Sequence, residues 1–143
     1  MVVKYKTDTL YVKEKIENQT FYMEFSNFDD NGETVYINIC VALYNKRKHA
    51  AANEDHKKLT GKNPFQTIAV GLKAYDMLEK ETLDFYNRHY NVCLLVYWID
   101  NRRRDAYHRI LSKKGYHFGN MFGSKCLYKM IPKGTYNGID NWK

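Results

Sequence analysis

The chain has 143 residues and carries 23 Lys and Arg against 16 Asp and Glu, a formal charge of +7. That length suits one domain, and 44% hydrophobic residues with thirteen Tyr are enough for a packed core, which excludes wholesale disorder. No apolar run approaches the ~18 residues of a membrane span. The opening residues M-V-V-K-Y-K-T-D-T-L lack a signal-peptide apolar region, so the expectation is a cytoplasmic protein with no membrane partner.

In chain order, residues 2–12 form an extended segment, and K-E-K-I-E-N at 13–18 is expected as a turn or short helix. Residues 20–28 alternate, with Phe21, Met23 and Phe25 on one face. Residues 34–43 alternate more cleanly, with Val35, Ile37, Ile39, Val41 and Leu43 together, the period of a half-buried strand. Asn31-Gly32 between them predicts a hairpin turn, since both residue types tolerate positive φ. Residues 45–59 form a polar connection.

Asn63-Pro64 opens a helix to about Tyr86, with Asn as cap, Pro at the first turn, and Phe65, Ile68, Ala69, Leu72, Tyr75 and Leu78 at helical spacing. Residues 92–99 are apolar on both faces and predict a central strand. Asp100-Asn101 starts a second helix with Ala106, Tyr107, Ile110 and Leu111 as its inner stripe, and Gly115 ends it. Residues 125–131 make a last strand, stopped by Pro132-Lys133-Gly134. The predicted fold is α+β, a mixed central sheet flanked by helices in the order β-β-β-α-β-α-β. It forms a single domain over residues 1–134 with a loose tail at 135–143, in which Trp142 could dock. A ferredoxin-like arrangement is the rival.

Three features bear on function. The loop Thr60-Gly61-Lys62-Asn63 enters a helix N-terminus, where free N–H groups and the helix dipole favour an anion. The second helix carries Arg102, Arg103, Arg104, Arg109, Lys113 and Lys114 against one acid, Asp105. Three arginines in a first turn oppose the dipole, so phosphate contacts, ion pairs with the acids between 76 and 84, or solvent exposure must account for them. Lys46, Arg47 and Lys48 begin a second basic segment, and Tyr44, Tyr90 and Tyr107 lie near enough in sequence to serve as stacking platforms. An anionic partner follows, nucleic acid or an acidic protein. For proton transfer only Asp100 and Glu24 are plausible carboxylates by position. Five His and three widely spaced Cys show no metal-ligand spacing, so no metal is expected and the thiols are expected reduced.

The succession of Thr60-Gly61-Lys62-Asn63-Pro64 with its long helix, the strand V-C-L-L-V-Y-W-I-D, and Arg104-x-x-Tyr107 leading to Gly115-Tyr116 resembles the second half of the GNAT-type N-acetyltransferases. It is most similar to the small, divergent members found in bacteriophages. The resemblance implies a mixed sheet splayed at its middle, with acetyl-coenzyme A in the splay of active members and its pyrophosphate on Gly61, Lys62 and Asn63. It also implies a location in the host cytoplasm, with the virion as another possibility. The family's loop holds more glycines than the one present here, and Pro64 removes a donor. The family's general-acid Tyr, four residues before the glycine, is Leu111 in this chain, with Tyr107 one turn earlier as the substitute. Two readings follow: a non-catalytic acetyltransferase-like domain that binds an anionic partner without cofactor, or an N-acetyltransferase that modifies an amine.

Overall fold

The computed structural model of the chain describes residues 1–44, 64–98 and 100–136. They form β1 (Lys4–Lys6), β2 (Thr9–Ile16), β3 (Gln19–Asp30), β4 (Thr34–Tyr44), α1 (Pro64–Tyr86), β5 (Asn91–Tyr97), α2 (Asn101–Leu111), a 3-10 turn (Ser112–Lys114), β6 (His117–Met121) and β7 (Ser124–Ile131). The strands make one seven-stranded sheet in the order β1-β2-β3-β4-β5-β7-β6. The β4–β5 pair is parallel, whereas β1–β2, β2–β3, β5–β7 and β6–β7 are antiparallel, so the fold is α+β with a mixed sheet.

The sheet holds two more strands than the sequence pattern predicts. The first extended segment folds back on itself as β1 and β2, and β2 continues through Lys13, Glu14 and Lys15 to Ile16, where a turn or short helix was expected. Charge hides the alternation there: Leu10, Val12 and Ile16 are buried, and Lys13 and Lys15 point the other way. The other addition is β6. Its pairing partner Met121↔Ser124 closes on Phe122 and Gly123, whose φ values of 54° and 80° give the double left-handed turn that suits a two-residue hairpin. The polar connection at 45–59, Ile99 and residues 137–143 lie outside the described residues.

The described residues fall into two compact units, one within Met1–Ser26 and Cys40–Thr82, the other within Asn27–Ile39 and Leu83–Lys143. In the first, Phe21, Met23 and Phe25 on β3 are buried with Leu10, Val12 and Ile16 on β2. Helix α1 meets them through Tyr75, whose ring is edge-on to Phe25 at 5.6 Å, and through Gly71, whose missing Cβ would lie 3.7 Å from the Phe21 ring. The buried line on α1 is Thr67, Ala74, Tyr75, Leu78 and Thr82. This corrects the predicted stripe: Tyr75 and Leu78 belong to it, but Phe65 is 86% exposed, and Ile68, Ala69 and Leu72 are exposed as well.

In the second unit β5 is buried on both faces. Val92 and Leu94 lie beside Val35 and Ile37 of β4 and share that face with Leu127 and Ile131 of β7. Cys93 and Leu95 turn to the opposite face and are buried with Cys126 beneath Tyr36, Tyr97, Met121 and Tyr128. The register sets Cys126 opposite Tyr97, four residues along β5 from Cys93. That is about 13 Å of strand, well beyond disulfide reach. A turn forms at Asn31-Gly32, but of the two residues only Gly32 takes positive φ, at 87°; Asn31 acts through its side chain, whose carboxamide oxygen accepts from the N–H groups of Glu33 and Thr34 at 3.0 and 2.8 Å.

Asn87, fully buried just after α1, organises the C-terminal end of this unit. Its amide nitrogen donates to the carbonyls of Tyr90, Ile131 and Pro132 at 3.1, 3.3 and 3.1 Å. Its side-chain oxygen accepts from Tyr136 N–H at 3.0 Å, and its backbone carbonyl accepts from Gly134 N–H at 2.7 Å. Thr135 and Tyr136 are thus bonded to the fold.

Candidate nucleic-acid interface

Helix α2 ends as its sequence dictates: Gly115 takes φ 93°, and the N–H of Tyr116 reaches back to the Leu111 carbonyl at 3.2 Å, a glycine-capped termination. Its packing departs from expectation. Leu111 is buried and Arg104, Tyr107 and Lys114 are half-buried, so the inward line is 104–107–111–114. Ala106 and Ile110, predicted to be inside, are exposed. Long Arg and Lys stems cover apolar surface while their heads stay wet, which lets a helix turn such residues toward its support.

This rotation sorts the six cations. Arg104 bonds Asp105 on its own helix, Nε and a terminal nitrogen each 3.0 Å from one carboxylate oxygen. Lys114 is also engaged. Arg102, Arg109 and Lys113 are exposed and have no ionic or hydrogen-bond partner among the described residues. Arg102 and Arg109 share one side of α2, about 10 Å apart along its axis, and this basic ridge is followed by Lys113 in the 3-10 turn. The Arg103 side chain lies outside what the structure describes.

The same unit holds an aromatic group. His108 of α2 stacks on Phe118 of β6, centroids 4.5 Å apart at 26°, and Trp98, just past β5, meets Phe118 edge-on at 5.9 Å. Phe118 is 51% exposed. Exposed cations without partners among the described residues are what phosphates require, and an exposed ring is what unpaired bases stack on. Trp98 and Phe118 were not legible as a pair in the sequence, because only the β5–β7–β6 pairing brings them together. Of the tyrosines read as platforms, Tyr44 is buried and cannot serve; Tyr90 and Tyr107 are half-buried.

The proton-transfer candidates fall in both units. Glu24 lies in the first unit and accepts the Tyr22 hydroxyl at 2.6 Å. Burial, reinforced by that bond and by the Glu24 charge, drives the Tyr22 phenol far above its ordinary value. Asp100 and Tyr107 lie in the second unit. Asp100 is exposed and its backbone carbonyl accepts from Arg104 N–H at 3.1 Å, and both residues are already engaged. Gly61, Lys62 and Asn63, together with Lys46, Arg47 and Lys48, lie outside the described residues. Among the described residues no three His, Cys, Asp or Glu side chains gather as a metal site, and no helix is long and apolar enough to cross a membrane. No family model, curated protein or solved structure matches this chain.

Proposed function

We propose that this chain is a divergent GNAT-like domain of the phage type that works as a binding module for nucleic acid rather than as a catalyst. The observation that carries the binding role is the exposed trio Arg102, Arg109 and Lys113, without partners among the described residues, in the same unit as the Trp98–Phe118–His108 group. Two features support the family likeness. The sheet is mixed with a parallel pair in its middle, and the β4–β5 ladder stops at Asn38 and Leu95 while β4 continues to Tyr44 and β5 to Tyr97. A ladder that ends early is also what favours the second reading, an N-acetyltransferase that uses acetyl-coenzyme A. Against that reading stands Leu111, buried where the family has its general-acid Tyr.

The test is binding of a 15-base-pair DNA duplex, followed by anisotropy against salt. Replacing Arg102, Arg109 and Lys113 by Gln is expected to leave the melting temperature near wild type, since all three are exposed. The log–log salt slope should fall by about 0.9 for each phosphate that is no longer neutralised. Equal binding by wild type and variant overturns the proposal. A thermal shift with acetyl-coenzyme A at micromolar concentration restores the enzyme reading.

A further inference from the structure

In the first unit the sheet has a second face, opposite the one that α1 covers. Register assigns it residue by residue: Lys4 pairs with Tyr11 and Tyr11 with Glu24, while Lys13 pairs with Tyr22. Directly paired residues share a face and residues two apart do too. Lys4, Lys6, Lys13 and Lys15 therefore stand on the same surface as Tyr11 and Tyr22. All four lysines are exposed and both tyrosines half-buried, whereas Leu10, Val12, Phe21, Met23 and Phe25 of the opposite face are buried.

The two rings lie side by side, centroids 5.7 Å apart at 32°, and the Lys6 ammonium sits over both, 5.2 and 5.5 Å from their centroids. The acid these strands place on this face is Glu24, already satisfied by the Tyr22 hydroxyl. Thr9 and Ser26 share the face and bond to each other at 2.8 Å. The surface thus carries adjoining aromatic rings set among exposed lysines.

We propose that this face binds single-stranded nucleic acid, with bases stacked on Tyr11 and Tyr22 and phosphates on the lysines. The proposal does not depend on the α2 ridge. Charge argues for a polyanion. The adjoining rings argue for unpaired bases, because a flat π surface rewards planar groups that a duplex keeps inside and an acidic peptide lacks. Lys6 can move from the rings to a phosphate, since it is exposed on the three-residue strand β1.

The experiment uses the full chain carrying Arg102→Gln, Arg109→Gln and Lys113→Gln, so that the exposed cations of the ridge are removed, with a labelled 15-mer of deoxythymidine, the matching duplex, and polyglutamate. The background chain should prefer the single strand. Lys4→Gln, Lys6→Gln, Lys13→Gln and Lys15→Gln together should reduce the salt slope by about 2.8, four phosphates at about 0.7 each for a single strand. Tyr11→Leu should weaken binding about tenfold, whereas Tyr11→Phe, which keeps the ring, should not. Unchanged binding in the lysine variant overturns the proposal. So does a lysine effect without a Tyr11→Leu effect, or polyglutamate binding more tightly than the oligonucleotide, which would make the partner an acidic protein. Thermal melting of each variant separates weakened binding from unfolding.

Discussion

A single amide, Asn87, satisfies three backbone carbonyls that the ends of α1 and β7 leave open, and it does so without any exposure. Asn87→Ala removes those donors and the acceptor for Tyr136, so buried carbonyls are left without partners and the full desolvation cost appears. The expected loss is about 2–4 kcal/mol in urea unfolding, far more than an ordinary surface change. An unchanged midpoint would mean that water replaces the amide without cost. Nothing in N-R-H-Y-N marks this residue, because its partners lie 44 and 45 residues away and are backbone atoms, which leave no trace in side-chain pattern. The same limit hid the Trp98–Phe118 contact. The ridge residues were visible as charges, but which of six cations stay unpaired depends on how α2 is rotated, and Ala106 and Ile110 suggested a different rotation from the one that Tyr107 and Leu111 impose.

At the scale of elements, the strands with clean alternation, β3 and β4, and the doubly apolar β5 were readable from residue order. In β6 the signal was too weak: H-F-G-N-M holds a glycine, more than half its side chains are exposed, and its turn uses Phe122 where Asn or Gly is usual. The left-handed backbone at Phe122 carries strain for a bulky residue, and the fold accepts it because the ring meets Tyr36 at 5.0 Å and Phe28 at 5.1 Å. Gly119 has a packing reason. A Cβ there would come within 2.6 Å of the Tyr128 ring, closer than real contacts allow. Gly119→Ala should therefore cost about 1–3 kcal/mol despite the better strand propensity of Ala. The double variant Gly119→Ala/Tyr128→Ala should recover part of that loss. A neutral single variant would show that the ring moves aside freely.

For the molecule as a whole, the thiols on the second face of β5 tie stability to alkaline pH. Burial, with the Cys126 thiol adding, pushes the Cys93 thiol from an ordinary 9.0 up to about 11. The folded chain keeps a proton that the unfolded chain releases, so this contribution is complete below about pH 9 and is lost as pH rises toward 11. The urea midpoint should fall across that window, and Cys93→Ala should flatten the fall; a fall of equal steepness in the variant would assign it to other groups. The order β5-β7-β6 carries one more consequence, for synthesis on the ribosome. β7, translated after β6, occupies the slot beside β5, the most apolar strand. Until residues 124–131 emerge, V-C-L-L-V keeps one edge open to any strand it meets, and truncated chains that end before β7 keep it open permanently. Premature termination is therefore more hazardous to this fold than most single substitutions, because it converts the centre of the sheet into a template for aggregation.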